Sequence, residues 1–476
     1  MDGAAALSYK SPNLPGKDAI ARWIVGVRWP LCLFLAALAV RLHWNLAIHP
    51  PEDYVYSDMH GYVARGLAAL DRPREAHEYA AFFPYGNHLL VAAAKWLFGR
   101  ESPHALGVVY AVIGAVIPPL AYAVARRSSR YPWVPPLVGA LLVFHYPLVA
   151  LGGYVLSEIP FAAAMYAAHL GLVRAVQGGR LRDALLGGVF AGVATAIRPQ
   201  ILLAMAVLGI VWLAVRGRLG NLRLRHMLVA FVPVALVLAF SAARFYHHTG
   251  RVGLVSENAT LNLTFGRCHA AKIESLPDGK GHGRVHFQPP SFLQMRAQER
   301  RKKDKWLHLD PALGYDISYK GYIGDGRAHM RFVRRCIEKT GLSGQLAYSL
   351  TNAALLWKYN VPWPDSGRTQ WRSVAAWWQR TTRNLFAVAS LVGIFLFFRP
   401  RAAPAMTLAA VQVVSLLLTS AIFFGSGRIR TPYDPFIILL ALETYSFAAL
   451  WLGRRLVARR RGTTAGPSPA QSNDSG

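Results

Sequence analysis

Apolar stretches long enough to cross a bilayer recur along this chain, and they constrain its fold more than any other feature. They read at 28–47, 105–125, 132–152, 157–175, 183–198, 200–215, 227–246, 384–399, 404–424 and 433–453. A hydrocarbon layer of about 30 Å needs about 20 apolar residues in a helix, and lipid offers the backbone no partner outside a helix or closed barrel. Hydrophobic residues fill 53% of the 476 positions and charged residues 16%, with mean hydropathy +0.26, so lipid is the expected solvent. The expectation is an all-α polytopic membrane protein of about ten transmembrane helices.

The charge is lopsided, 53 Lys+Arg against 24 Asp+Glu, and its placement explains it better than nucleic-acid binding does. Arginines cluster in alternate short loops: Arg126, Arg127 and Arg130; Arg174, Arg180 and Arg182; Arg216, Arg218, Arg223 and Arg225; Arg399 and Arg401. The tail adds Arg454, Arg455, Arg459, Arg460 and Arg461. All fall on one side if both termini are cytoplasmic, as the positive-inside rule requires. The expected location is a bacterial inner membrane, with membrane lipids and not nucleic acid as the charged partner. The N-terminus lacks a short apolar stretch with a small-residue cleavage site, so the first span should remain as an anchor.

That topology divides the chain into a cytoplasmic segment 1–27, a transmembrane module 28–246, an external region 247–382, C-terminal helices 383–453 and a tail 454–476. A first external loop runs over 48–104. Within it, Leu89–Gly99 is too short to span and contains Lys95, so it reads as a helix lying at the interface. Residues 462–476 read as a disordered polar tail. The three cysteines, Cys32, Cys268 and Cys336, show no metal spacing; a Cys268–Cys336 bridge is allowed in the external region.

Ionisable residues at the outer ends of spans carry a desolvation cost and mark candidate chemistry. Asp58 follows the first span and opens an amphipathic run; it would either cap that helix or act as a general base at the membrane surface. Glu158 stands between the third and fourth spans, where a helix N-terminus favours an acid whatever its function. Arg198, Arg428 and Arg430 lie on the side that short loops keep free of arginine. Snorkelling to headgroups and bidentate phosphate binding both account for them. Arg428 and Arg430 stand two apart before Pro432 and Pro435, so an extended loop would aim both guanidiniums at one phosphate. His60, His88 and His269 have ligand chemistry for a divalent metal, but polar surface histidines are common and no cofactor is required.

At these residues the chain resembles the GT-C glycosyltransferases that use polyprenyl-phosphate sugars, a class that includes protein O-mannosyltransferases and lipid A aminoarabinose transferases. The likeness rests on YSDMHGYVARGLAAL (56–70), PYGNHLLVAAAKWLFG (84–99), SEIPF (157–161) and RIRTPYDP (428–435), with VSENATLNLTFGR (255–267) as a weaker match. Many relatives carry two adjacent acids in the first loop, whereas Met59 follows Asp58 here. The resemblance covers roughly 28–270 and 384–453, and implies a GT-C-like bundle that moves a sugar from a polyprenyl-phosphate donor to a lipid, glycan or protein acceptor on the external face. It makes Asp58 the base and Glu158 an orienting acid. Arg428, Arg430 and Arg198 would hold the donor phosphate, and Tyr62, His60 and Tyr433 would contact substrate. A transporter of lipid-linked sugars, which would show inverted repeats and mid-membrane polar residues, and a non-catalytic scaffold subunit are the rival readings.

Overall fold

The computed structural model describes residues 17–72, 75, 78–215, 219–269, 271–275, 285–287, 317–358, 364–365, 370–399 and 402–464. Residues 1–16, Arg216, Arg218, Arg401 and the tail from 465 lie outside these, as does most of 276–316.

Each stretch expected to span falls on a helix or a helix pair. The N-terminal module holds α1 (Lys17–His43), α2 (Asp58–Asp71), α3 (Gly86–Phe98), α4 (Ala105–Ala115) and α5 (Ile117–Ser128). It continues through α6 (Val134–Val143), α7 (Tyr146–Gly152), α8 (Glu158–Gly178), α9 (Leu181–Ile197), α10 (Ile201–Ala214) and α11 (Leu224–Thr249). Among the described residues, six segments are long and apolar enough to cross a membrane: Arg28–Ile48, Ala105–Ser128, Glu158–Gly178, Leu224–Thr249, Pro404–Ile422 and Gly427–Leu456. The pair α6 and α7, bent by 43°, makes a seventh if counted as one span. The remaining expected spans are shorter: α9, α10 and the helical run 382–397.

The bend between α6 and α7 exposes carbonyls that lipid cannot satisfy, and buried side chains of the first span take them up. Arg41 donates from Nη1 to Val143 O and Ala37 O, each at 3.3 Å, and from Nη2 to Leu142 O at 3.2 Å. Asn45 Nδ2 reaches Gly107 O at 2.9 Å and Gly152 O at 3.0 Å. An arginine inside a span therefore serves the backbone of a broken neighbour. A Cβ on Gly171 would stand 2.6 Å from the Gly187 backbone, so the close approach of α8 and α9 at this point needs glycine.

Helix α8 sets the axial scale. Its 21 residues at 1.5 Å each place Glu158 and the basic loops about 30 Å apart. At the basic end, Gln177 Oε1 accepts from Arg127 at 3.3 Å, Asn221 Nδ2 donates to Gln177 O at 2.8 Å, and His226 lies 3.0 Å from Gly179 O. The first three arginine loops thus gather at one end of the bundle, and Glu158 lies at the other.

Beyond α11 the chain forms α12 (Asn258–Arg267), strands β1 (Ala271–Ser275), β2 (Val285–Phe287) and β3 (Ile317–Gly321), and the long α13 (Gly326–Lys358). The strands add a small sheet to the helical fold, in the order β2-β1-β3. Strand β1 is antiparallel to β2, with Ile273 opposite Phe287, and parallel to β3, with Ala271 opposite Ile317. Cys268 and Cys336 form the disulfide, Cα atoms 5.4 Å apart, tying the end of α12 to α13. Leu261, Tyr319, Phe332 and Val333 pack around it with Phe82 of the segment between α2 and α3. Glu257 N donates to Ala81 O at 3.0 Å and Asn258 N to Phe82 O at 3.2 Å, so the segments 48–104 and 247–382 meet. The chain then runs through α14 (Arg372–Thr381), α15 (Val388–Phe397), α16 (Pro404–Ile422), the single turn α17 (Gly427–Arg430) and α18 (Asp434–Thr464).

The interfacial helix expected at 89–99 is α3, beginning at Gly86. Trp96, at 76% exposure, and the exposed Leu97 and Phe98 lie at its C-terminal end, while Lys95 turns back and donates to Ser102 O at 2.9 Å. Apolar exposure beside a retracted lysine is the pattern of a helix lying against lipid.

Candidate functional site

Asp58 opens α2 immediately after Ser57, whose φ of 52° and ψ of −126° make it the one non-glycine residue with positive φ among those described. Such a backbone costs about 1–3 kcal/mol and persists only where the surroundings impose it. Ser57 makes no side-chain cap, and Asp58 sits inside the first turn, so the capping role allowed from the sequence is not the one Asp58 takes. Its Oδ2 instead accepts from Arg428 Nη1 at 3.3 Å, with the side chain 34% exposed.

Glu158 likewise opens α8, after an N-cap Ser157 that makes no cap hydrogen bond. It is fully buried, and its Oε1 accepts from two guanidiniums, Arg428 through Nε and Arg198 through Nη1. Arg198 Nη1 also donates to Ser157 Oγ at 3.2 Å. Arg198 can reach this point because it leaves α9 with extended backbone, φ −148° and ψ 115°. Tyr62, one helical turn after Asp58, is buried, and burial holds its phenol above its usual range, with the Asp58 and Glu158 carboxylates adding to the effect. Four parts of the chain therefore deliver one continuous network: Asp58 from α2, Ser157 and Glu158 from the start of α8, Arg198 after α9 and Arg428 from α17.

The remaining site candidates take other places. Tyr433 is buried behind the network; its hydroxyl accepts from Gln200 Nε2 at 3.2 Å and its ring stands 6.2 Å from Phe161. His60 is exposed on α2. Among the described residues no three His, Cys, Asp or Glu side chains are grouped to hold a metal ion.

The arginine pair departs from expectation. Residues 427–430 form a helical turn, capped where Ser426 Oγ accepts from Ile429 N at 3.3 Å, and not an extended loop. Two residues at about 100° each point nearly opposite ways on a helix, so Arg428 and Arg430 cannot share one phosphate. Arg430 has no exposed surface. It donates at 2.8 Å to each of Asp434 Oδ1, Leu356 O and Gln379 Oε1, and its guanidinium lies 5.3 Å from the centre of the Trp357 ring. It joins α13, α14 and α18 as an internal clasp. Asp434 also faces His145, at 3.5 Å, between α6 and α7.

One cation escaped sequence reasoning altogether. Arg244, near the end of α11 that lies by the site, donates to Ala80 O and lies 3.4 Å from His88 Nε2, with its guanidinium 5.6 Å from the centre of the Tyr85 ring. Among the described residues it has no carboxylate partner. Burial, with Arg244 and Arg65 nearby, pushes His88 down to about 2, so that histidine stays neutral. The signal was available: an arginine at the outer end of a span is costly unless engaged.

Comparison with known proteins bears on part of this site. Residues 79–247 match the family model described as dolichyl-phosphate-mannose-protein mannosyltransferase. The match includes Glu158, Arg198 and Arg244 but neither Asp58 nor Arg428. The chain thus resembles the polyprenyl-phosphate-sugar transferases over that stretch, as its motifs indicated. No curated protein matches. Among solved structures, the chain is similar to the archaeal oligosaccharyltransferase AglB from Archaeoglobus fulgidus, in complex with an inhibitory peptide and a dolichol-phosphate. Identity is 13% and the TM-score 0.48, over 91% of this chain and 52% of that one. It is also similar to ArnT from Cupriavidus metallidurans, bound to undecaprenyl phosphate, at 14% identity and TM-score 0.34 over 90% of this chain and 79% of that one. The chain spans about half the length of the first of these.

Proposed function

We propose that this protein is a membrane glycosyltransferase that moves a sugar from a polyprenyl-phosphate donor to an acceptor hydroxyl at the external face of a bacterial inner membrane, with both termini cytoplasmic. The observation that carries the reading is the meeting of Asp58, Glu158, Arg198 and Arg428, drawn from across the chain, at one end of the bundle.

In the proposed reaction the acceptor oxygen attacks the anomeric carbon while Asp58, the partly exposed acid, takes its proton. The bond from that carbon to the phosphate oxygen breaks, and its electron pair leaves with the lipid phosphate. Arg428 and Arg198, each about a fifth exposed, carry the positive charge that neutralises it. Glu158, with no exposed surface, touches neither substrate and acts as a positioning residue that holds both guanidinium planes. Arg430 drops out of the phosphate site, because its guanidinium has no exposed surface and is bonded inside the fold. Sugar and acceptor identity (lipid, glycan or protein) are set by residues beyond this network.

The test is turnover of purified protein in nanodiscs with a panel of polyprenyl-phosphate sugars, following release of the lipid phosphate by mass spectrometry. Release is expected with at least one donor, and Asp58→Asn should lower it by about 10²–10⁴ while the protein stays folded. Donor translocation without release would identify a transporter, and wild-type turnover in Asp58→Asn would remove the base.

A further inference from the structure

Helix α13 is two helices joined at Gly341, whose φ of 63° and ψ of −174° break the hydrogen-bond ladder. The two halves carry different exposed chemistry. Before the break, Arg327, Arg331, Arg334, Arg335 and Lys339 are exposed, against the single acid Glu338. After it, Leu342, Leu346 and Leu350 form a ridge at four-residue spacing, exposed to 88%, 59% and 64%. Three large apolar side chains in a row on one helix face are not a surface that water stabilises.

The opposite face of the leucine half fixes its height in the membrane. Gln345 Nε2 donates to Arg267 O at 3.0 Å and Arg267 Nη1 to Ser349 Oγ at 3.1 Å, while the Arg267 guanidinium also donates to Ala421 O. Asn352 O accepts from Ser420 Oγ at 2.8 Å, and Asn352 Nδ2 donates to Phe423 O at 3.4 Å. Residues 345–352 are thus bound to the last turn of α16, a helix long and apolar enough to span. The end of a spanning helix marks the edge of the hydrocarbon, so the ridge lies at that edge. Leu418 and Ile422, each 40% exposed on α16, bring the lipid-facing surface up to the same point. The ridge continues that surface, and just past the Gly341 break the cations stand where headgroups would be.

We propose that α13 seats the external region on the bilayer, with Leu342, Leu346 and Leu350 entering the acyl boundary and the arginine face binding anionic lipid headgroups. Amphipathic helices bind interfaces through these two terms, buried apolar area and attraction to anionic lipid. The seat would hold the disulfide-tied α12–α13 unit at a fixed height over the Asp58–Arg428 network. It does not depend on what reaction that network performs.

The test uses the full chain carrying Cys32→Ser and Leu346→Cys, labelled with an environment-sensitive dye; Cys268 and Cys336 are bonded to each other and do not react. Nanodiscs are made of phosphatidylcholine alone or with phosphatidylglycerol, each containing a lipid with a nitroxide near the headgroup. Quenching by that lipid is expected in both, stronger with phosphatidylglycerol. Replacing Arg331, Arg334 and Arg335 by Gln should cut the gain, by up to about fivefold in seated-to-lifted ratio per arginine. Salt at about 1 M, which shortens screening to about 3 Å, should do the same. The same dye at Leu418→Cys on α16 reports that each variant is inserted. A Leu346→Cys label quenched by aqueous iodide and not by lipid overturns the seat. Quenching indifferent to phosphatidylglycerol and to the arginine changes overturns the headgroup assignment, and a spectral shift that tracks protein copies per disc would assign the ridge to a second copy instead.

Discussion

Replacing Glu158 by Gln separates the positioning role from a catalytic one. Oε1 of Glu158 accepts charged hydrogen bonds from Arg198 and Arg428, and its Oε2 is buried with no hydrogen-bond partner among the described residues. Glutamine retains the accepting oxygen, puts an unmatched NH₂ where Oε2 stood, and changes the balance of acids to arginines in the network from two against two to one against two. A charged hydrogen bond is worth about 1.5–3 kcal/mol, and stripping one partner from a buried ion pair costs about 3–5 kcal/mol. Both arginines keep contact with water, at 19% and 18% exposure, which lowers the expected cost to about 2–4 kcal/mol. The apparent melting temperature in detergent, read from intrinsic fluorescence, should fall by several degrees. Turnover at a temperature where the variant is still folded should fall by about 10²-fold, the scale for misplacing a group by about 1 Å. Asp58→Asn makes the contrast: its partner bond is longer and partly exposed, so melting should move less while the rate collapses. Unchanged melting and rate in Glu158→Gln would refute the view that this acid holds the two guanidiniums. A lowered melting temperature with full activity would show that their geometry is not needed.

The arginines two residues apart should behave unlike each other. Arg428→Lys should keep the fold and weaken donor use at least tenfold, because lysine lacks the planar fork, whereas Arg430→Lys should reduce folded yield and melting temperature by stripping donors from Gln379, Leu356 and Asp434. Equal donor kinetics in wild type and Arg428→Lys would leave headgroup snorkelling as the better account of that residue. Acid should loosen the unit formed by α12, the small sheet and α13. Burial pushes His269 and His329 down to about 4, against about 6.5 in an unfolded chain, so both are neutral in the fold. The unfolded unit binds more protons between those values, hence the stabilisation is complete above about pH 6.5 and is lost as pH falls towards 4. Hydrogen exchange of peptides covering 261–269 and 326–352 should accelerate over that window, and exchange independent of pH after correction for intrinsic rates would contradict the assignment.

The positions of the six helices long and apolar enough to span could be read from the chain, because bilayer thickness is an external ruler and a backbone in lipid has few ways to satisfy itself. The Cys268–Cys336 bridge was allowed by the sequence but not called from it, since what brings the two cysteines together is the packing of α12 on α13. Asp58, Glu158, Arg198 and Arg428 were each singled out by desolvation cost, a local property. That they meet was decided by tertiary packing, since Asp58 and Arg428 lie 370 positions apart and no periodicity encodes such a pairing. Arg430 shows the opposite failure. In sequence it looks equivalent to Arg428, but one helical turn at 427–430 sends its side chain inward to Asp434 and Gln379. The small sheet also escaped notice, its strands being three to five residues long with their pairing set by distant segments. Arg41 is the clearest case. Its presence in the first span is plain from the sequence, but its purpose exists only where α6 breaks and leaves the carbonyls of Leu142 and Val143 without partners, which no residue near Arg41 in the chain could announce.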